Sequence, residues 1–127
     1  MNREEFVEAF FQVLERAMIF SQTSLREGLL TLEKMIDEEK ADVRDIFEYG
    51  MRFAVDGIDA AVIRDILENI SKQEKDEYIR LLKDIQLEAV LSIQAGCNPR
   101  ILLYTLNSFT DIPINDPRFE KWFDKLE

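Results

Sequence analysis

The sequence predicts an all-α fold, a compact bundle of five or six helices joined by tight Gly-x-Asp/Asn corners. Apolar residues recur at spacings of three and four along most of the 127 residues, as they do in amphipathic helices. No run alternates apolar and polar residues in the manner of a half-buried strand, and four glycines and three prolines leave little material for turns. We expect one helical domain over residues 1–110 and a proline-containing extension with a short terminal helix over residues 111–127.

The first helix is marked by apolar residues at helical spacing: Phe6, Phe10, Val13, Leu14, Ala17 and Met18. Ser24 and Glu27 have the spacing of a capping box, which favours two collinear segments that meet near residues 21–24. The alternative is a single helix as far as Asp37, because the apolar stripe continues without a proline. The residues of this continuing stripe are Leu25, Leu29, Leu32 and Ile36.

A charged connector over residues 38–42 leads to a third helix, which Asp42 caps and Gly57 ends. Its apolar residues are Phe47, Met51 and Val55. A fourth helix covers residues 60–70. Its apolar face comprises Val62, Ile63, Ile66, Leu67 and Ile70.

Residues 71–76 are polar, and they form either an exposed turn or a solvated piece of helix. A fifth helix spans about residues 74–95. Its inward-facing residues are Ile79, Leu82, Ile85, Gln86, Ala89, Val90 and Ile93. The sixth helix, residues 99–109, is apolar nearly all round, so we expect it to be central or covered by a partner.

Two prolines within residues 113–117 predict an extended segment. Asp116 and Pro117 can cap and open a last short helix. That helix carries the aromatic residues Phe119, Trp122 and Phe123. We expect this aromatic cluster to dock on the domain's own core.

Two corners share one pattern, Gly57-Ile-Asp59 and Gly96-Cys-Asn98-Pro99. Glycine tolerates the left-handed conformation that closes a helix. An Asp or Asn two residues later accepts the free N–H groups of the next helix, and Pro99 falls at a first helical position, where its missing N–H costs nothing. The pattern therefore predicts two tight helix–helix corners, and the lack of a third copy argues against a solenoid.

The charge balance disfavours nucleic acid and anionic membranes as main partners, since 26 acidic residues outnumber 16 basic ones. The absence of histidine removes the commonest general base and most zinc sites. No phosphate loop or calcium loop is present, and Cys97 has no disulfide partner. We expect no enzymatic activity, no metal and no cofactor.

A membrane-spanning helix requires a stretch of about 18 apolar residues, and the sequence contains none. The N-terminus also lacks the apolar centre of a signal peptide. A soluble, cytoplasmic protein is therefore expected.

One charged helical face is a candidate site for a protein partner. Arg26 and Glu33 are seven residues apart, which on one helix places them on the same side, about 10 Å apart along the axis. Glu27 and Lys34 adjoin them. Gly28 lies between, and a glycine inside a helix costs roughly 1 kcal/mol against alanine. Close approach of another backbone would explain this glycine, and an ordinary charged surface is the alternative.

Three segments resemble flagellar stator subunits of the MotA and PomA type. Residues 24–33, SLREGLLTLE, resemble the segment that follows the second membrane helix of that family. Residues 53–67 are similar to the VDG-x-D…IRDIL segment of the same cytoplasmic loop. Residues 89–100 are similar to the AIQ-x-G-x-NPR segment of the C-terminal tail. The three segments come in the family's order.

The resemblance implies the cytoplasmic parts of a stator subunit without its membrane helices. In the family, two membrane helices lie between the second and third segments, where this chain has residues 69–76. Either this is a natural relative without the membrane part, or the chain is a fusion across residues 69–77. The continuous helical pattern over that join favours the natural relative.

The family also implies a partner. Its first segment carries an Arg and a Glu that engage charged residues of the rotor switch protein FliG. Glu33 matches the Glu, whereas Leu25 stands where the Arg is usual. Arg26 is the nearest substitute, rotated by about 100° around a helix.

The resemblance therefore implies a non-enzymatic interaction module for the flagellar motor and motility. Its partner would be FliG or a stator subunit, and it would conduct no ions. The alternative is a scaffold without a motor role that self-associates through the sixth helix or the aromatic tail.

Overall fold

The structure is a computed structural model that describes residues 1–37 and 45–126. Within these residues every regular element is helical, which confirms the all-α class. Seven α-helices occur there, six of them before residue 110 and the expected short terminal helix after it. The elements in order are α1 Arg3–Glu27, a 3₁₀ turn Leu29–Thr31, α2 Leu32–Asp37, α3 Ile46–Val55, α4 Ala60–Ser71, α5 Glu77–Gln94, α6 Pro99–Asn107, a second 3₁₀ turn Pro117–Phe119 and α7 Glu120–Leu126.

Helix α5 lies at the centre of the bundle, packed against α1, α3 and α4. Five of its predicted inward residues are buried: Leu82, Ile85, Ala89, Val90 and Ile93. Leu87 is buried as well, which the sequence pattern did not indicate. Since Phe10 and Leu14 of α1 are also fully buried, the stripes of the first and fifth helices meet in one core, as their periodicity predicted.

Helix α1 runs unbroken through residues 21–24, so the break expected there is wrong. The helix ends at Gly28, whose N–H donates to the Ser24 carbonyl at 2.7 Å. At φ 95° and ψ 156°, Gly28 has a backbone conformation that is essentially confined to glycine. A single helix as far as Asp37 is therefore wrong as well.

Gly28 is required for its backbone conformation and not for packing, because a Cβ there would meet nothing within 4 Å. Of the two explanations considered for Gly28, close approach within the chain is therefore wrong, and a close approach occurs at Gly50. A Cβ on Gly50 would lie 2.9 Å from side-chain atoms of Leu67 and Val90. This glycine allows α3 to pack tightly against α4 and α5.

Both predicted corners are confirmed, and each has the hydrogen bonds of a Schellman motif. Gly57 has a φ of 79°. Its N–H donates to Ala54 at 3.1 Å, and the Ile58 N–H donates to Phe53 at 3.0 Å. Gly96, with a φ of 73°, repeats both bonds.

The N-caps after the two corners differ. The Asn98 side chain accepts the Arg100 N–H at 2.8 Å, and Pro99 opens α6 as expected. Asp59 stands at the N-cap of α4, but its side chain makes no capping hydrogen bond. The capping interaction predicted for Asp59 is therefore wrong.

The N-cap of α3 is Asp45, which accepts the Glu48 N–H at 3.1 Å. The predicted cap Asp42 and the charged connector of residues 38–42 lie outside the described residues.

Residues 72–75 form a turn between α4 and α5, which decides between the two alternatives for this polar segment. Asp76 caps α5 by accepting the N–H groups of Tyr78 and Ile79 at 3.0 and 3.1 Å, so α5 begins at Glu77 and not at residue 74. On α4 the buried residues include Ile63 and Leu67, whereas Val62 of the predicted apolar face is 46% exposed.

Helix α6 lies at the surface of the bundle and not at its centre. Leu102, Leu103 and Leu106 are buried, but Ile101 is 56% and Tyr104 46% exposed. The predicted helix therefore forms with one apolar face turned to the core and a second one uncovered.

The C-terminal aromatic residues dock on the domain's own core, as expected. Asp116 caps the segment by accepting the Arg118 N–H at 2.9 Å. Phe119 and Trp122 are buried, and the Phe119 ring centre lies 5.0 Å from that of Phe11 on α1. None of the helices within residues 1–37 and 45–126 has the length and apolarity needed to span a membrane.

Candidate functional site

The candidate charged residues lie on two helices and not on one. Arg26 is in the last turn of α1, and Glu33 and Lys34 are in α2, with the Gly28 break between them. The two-turn spacing of about 10 Å along one axis therefore does not apply. We call residues 25–34 the Gly28 bend.

All four charged residues of the bend are exposed. Arg26 donates to Glu27 through Nη2 and Oε2 at 3.3 Å, with side chains 69% and 49% exposed. Such an exposed pair between neighbouring residues contributes little to stability. The charges of the bend are therefore available to a partner.

Two leucines of the bend are also exposed, a feature that the sequence interpretation missed. Leu30 in the 3₁₀ turn is 71% exposed, the most of the large apolar side chains that the structure describes, and Leu25 is 51% exposed. The alternative of one continuous helix placed Leu25 in its apolar stripe. Because the helix stops at Gly28, Leu25 is left outside the core, and the stripe resumes at Leu29, which packs half-buried against the core, and at the buried Leu32.

Glu33 lies at a small cleft between α2 and α3. This cleft of about 70 Å³ is lined by Glu33, Ile36, Arg52, Val55 and Asp56, and it is far smaller than ordinary ligand pockets. Across this cleft, Glu33 of α2 lies beside the residues of α3 that precede the Gly57 corner.

Arg52 holds the two helices together at this point. Its Nη2 donates to the Ile36 carbonyl of α2 at 3.2 Å and lies 3.7 Å from Oε1 of Glu48, one turn earlier on α3. Glu48 is only 3% exposed, and a buried carboxylate needs a cationic or hydrogen-bonding partner to remain charged. Arg52 thus links α3 to α2 through the Ile36 carbonyl, three residues after Glu33.

A single hydrogen bond joins the two glycine corners. Nε2 of Gln94, at the end of α5, donates to the Ile58 carbonyl at 2.7 Å. Ile58 lies between Gly57 and Asp59, so segments 36 residues apart are in direct contact. Sequence reasoning missed this role of Gln94, although a polar residue two positions before Gly96 was a visible signal.

A larger cleft, of about 360 Å³, lies between α4 and α5. Arg64 donates to Glu88 at 2.9 Å across the two helices, and the Ser71 hydroxyl donates to Asp84 at 2.6 Å. The hydrogen bond from Arg64 to Glu88 raises the pKa of that guanidinium. These two bonds link side chains of α4 to side chains of α5 across the cleft.

Another cleft, of about 330 Å³, lies between α1 and the C-terminal segment. The Arg118 guanidinium lies 4.3 Å from the centre of the Phe11 ring, and Lys121 pairs with Glu15 at 3.0 Å. Within residues 1–37 and 45–126, no three Cys, Asp or Glu side chains gather into a group able to hold a metal ion. The side chains of the two larger clefts thus pack and form ion pairs within the chain, whereas the charged side chains of the Gly28 bend are exposed.

Comparison with known proteins gives one informative similarity. No family model matches the chain, and no solved structure matches it. The chain is 34% identical over 82 residues to motility protein A of Treponema phagedenis, a match that covers 64% of this chain and 30% of that protein. The chain thus spans less than a third of the relative that it matches. This similarity supports a relationship between the chain and motility protein A.

Proposed function

We propose that the chain is a non-enzymatic protein-interaction module of the flagellar motor, which binds the rotor switch protein FliG or a stator subunit at the cytoplasmic face without conducting ions. The observation that carries this proposal is the 34% identity with motility protein A over 82 residues. The three segments that resemble the stator family are consistent with this similarity.

The Gly28 bend is the surface that we assign to the rotor. Glu33 matches the family's Glu, is exposed, and lines the small cleft together with Arg52. Arg26 is exposed in the last turn of α1, before the break. Gly28 changes the chain direction after Arg26. The relative orientation of Arg26 and Glu33 therefore differs from the one that they would have on one straight helix.

A binding role is also the one that the side-chain chemistry favours over catalysis. The sequence contains no histidine, and the carboxylates of the α4–α5 cleft pair with Arg64 and Ser71. A catalytic carboxylate usually has a shifted pKa and a position free to reach a substrate.

Titration of the purified chain with FliG of the same organism tests the proposal, by calorimetry at about 50 and 300 mM NaCl, since salt screens exposed charges. We expect binding that Arg26→Glu and Glu33→Lys each weaken at low salt. Lys72→Glu and Glu77→Lys make the same charge changes at exposed positions away from the bend, and we expect them to leave binding unchanged. No binding at either salt concentration, or binding that both bend variants leave intact, would contradict the proposal.

A second candidate function is self-association into a scaffold, and the uncovered face of α6 favours it. Ile101 and Tyr104 are exposed there, whereas the aromatic tail is occupied by its own core through Phe119 and Trp122. Light scattering over a concentration series tests this alternative. Assembly that Ile101→Lys abolishes would support it, and a monomer at every concentration would exclude it.

A further inference from the structure

We propose that Arg52 positions helix α2 and thereby holds Glu33 in the orientation in which the rotor partner meets it. Arg52 lies on the neighbouring helix α3, so the surface of the Gly28 bend depends on a residue outside the bend. This inference rests on the proposed function and deepens it, because it names a positioning residue for the same site.

The apolar face of α2 attaches the helix to the core without a directional constraint. Leu32 and Ile36 are buried, and Met35 packs half-buried against the core. Hydrophobic contact is non-directional, whereas a hydrogen bond restricts both distance and angle. Neighbouring residues are about 100° apart around a helix, so a rotation of α2 changes the direction in which Glu33 projects. A hydrogen bond to the backbone of α2 limits that rotation.

Arg52 provides such a hydrogen bond. Its Nη2 donates to the Ile36 carbonyl at 3.2 Å, and Ile36 follows Glu33 on the same helix. The bond acts on the backbone and not on a side chain that can change rotamer, and hydrogen bonds from charged donors are the stronger ones. Arg52 and Glu33 also line one cleft of about 70 Å³. The backbone that carries Glu33 is thus tied to α3.

Arg52 is in turn held by a closely packed part of the molecule. The same Nη2 lies 3.7 Å from Oε1 of Glu48, a residue that is 3% exposed. Between these two residues in the chain lies Gly50, where a Cβ would be 2.9 Å from side-chain atoms of Leu67 and Val90. Because α3 has no room to move toward α4 and α5 here, Arg52 ties α2 to the core of the bundle.

The exposed charges of α2 depend on this tie. Glu33 and Lys34 are exposed, and the orientation of α2 decides where both side chains point. A preorganised surface binds more tightly than a mobile one, because less conformational freedom is lost on binding. The affinity for FliG should therefore fall when the hydrogen bond to Ile36 is removed, although Glu33 and Lys34 are unchanged.

The test removes this hydrogen bond without taking the cationic neighbour from a buried carboxylate. Breaking a buried ion pair from one side is strongly destabilising, so Arg52→Met is made together with Glu48→Gln. Glu48→Gln alone, which keeps Arg52, is the reference. The matched control is Arg64→Met, which also removes an arginine that joins two helices, through its bond to Glu88 at 2.9 Å, but away from the bend.

Amide hydrogen exchange in α2 and α5 reports local opening, and the FliG titration reports affinity. Relative to Glu48→Gln, we expect the double variant to exchange its α2 amides about tenfold faster or more, and its α5 amides by a clearly smaller factor. FliG binding should weaken by about fivefold or more. Arg64→Met should leave α2 exchange and FliG binding unchanged.

Arg52→Lys tests for rescue by a conservative change. Both contacts of Arg52 described above come from one nitrogen, Nη2, which the three donors of a lysine ammonium can replace. We therefore expect Arg52→Lys to keep α2 exchange and FliG binding near their wild-type values.

The outcomes separate this inference from the proposed function. Equal α2 exchange in the double variant and in Glu48→Gln, or an Arg52→Lys variant that behaves like the double variant, would overturn the inference. Faster α2 exchange with undiminished FliG binding would also overturn it, and would leave the proposed function standing. A wild-type chain that binds no FliG would overturn the proposed function, and α2 exchange would still decide whether Arg52 positions this helix.

Discussion

Asn98 and Asp59 hold the N-cap positions of helices that follow two similar corners, yet they differ in their bonds. The Asn98 side chain accepts the Arg100 N–H, whereas the Asp59 side chain accepts no N–H of α4. Loss of a capping side chain costs about 1 kcal/mol, whereas a charge near a helix N-terminus contributes a few tenths. We expect Asn98→Ala to lower the free energy of unfolding by about 1 kcal/mol and Asp59→Ala by clearly less. Urea denaturation measures both, and equal losses would contradict the structural difference.

Asp116 is the residue for which the structure gives a specific pH dependence. The Arg118 side chain donates to both carboxylate oxygens, through Nε at 3.0 Å and Nη2 at 2.9 Å, and its backbone N–H donates to Oδ1. These bonds lower the pKa of Asp116 from 3.8 to about 2. Since the folded-state pKa lies below the unfolded one, the ionised carboxylate stabilises the tail above about pH 4, and this contribution is lost as the pH falls toward about 2.

An NMR titration of the Asp116 carboxyl carbon measures this pKa directly. We expect Arg118→Ala to move the pKa of Asp116 back toward its ordinary value, because the larger of the two contributions comes from the side-chain bonds. An unchanged titration midpoint in that variant would show that the Arg118 side chain does not lower the pKa of Asp116.

Single residues also show where the sequence was ambiguous. Gly28 and Gly50 are both glycines without a capping residue two positions on, but one serves backbone conformation and the other serves packing. A sequence pattern predicts a special role for a glycine without separating these two causes. Only the position of neighbouring helices assigns the close approach to Gly50.

At the scale of elements, the packing of α3 depends on the missing side chain of Gly50. A Cβ would lie 2.9 Å from Leu67 and from Val90, both fully buried, and the branched side chain of Val90 has little freedom to move. Overpacking costs typically 1–3 kcal/mol, against a gain of roughly 1 kcal/mol in helix propensity. We expect Gly50→Ala to lower the free energy of unfolding.

A double-mutant cycle with Val90→Ala separates the clash from other effects. If the new methyl group collides with Val90, Gly50→Ala should cost clearly less in the Val90→Ala background, because contacting residues couple. A stabilised single variant, or additive effects of the two substitutions, would contradict the close packing of α3.

Periodicity predicted most helices of the chain, and local chemistry fixed their ends less reliably. Both glycine corners were identified because the turn chemistry is local: glycine at C′ and a polar residue two positions later. The break near Ser24 was misplaced because the capping-box spacing of Ser24 and Glu27 also occurs inside continuous helices. Of the two alternatives for α6, a central position is wrong and cover by a partner stays a prediction, because an apolar composition does not say which face lacks a neighbour.

On the scale of the whole molecule, the structure joins segments that the sequence keeps apart. The bond from Gln94 to Ile58 brings both corners together, with the α4–α5 hairpin between them. Likewise, Glu33 lies beside Arg52 and Asp56 only because α2 packs on α3. Such tertiary neighbours follow from the packing of whole helices. The charged residues could therefore be picked out from the sequence, whereas the residues that lie beside them in the fold could not.

The central claim is that the Gly28 bend binds the rotor switch protein, and chemical-shift mapping by NMR tests it most directly. Unlabelled FliG is added to the ¹⁵N-labelled chain, and the amide shifts are followed. We expect the largest changes within residues 25–34, with smaller ones at Asp56 in the adjoining cleft and none at Ile101 or Tyr104. Changes concentrated on α6, or no changes at all, would contradict the claim.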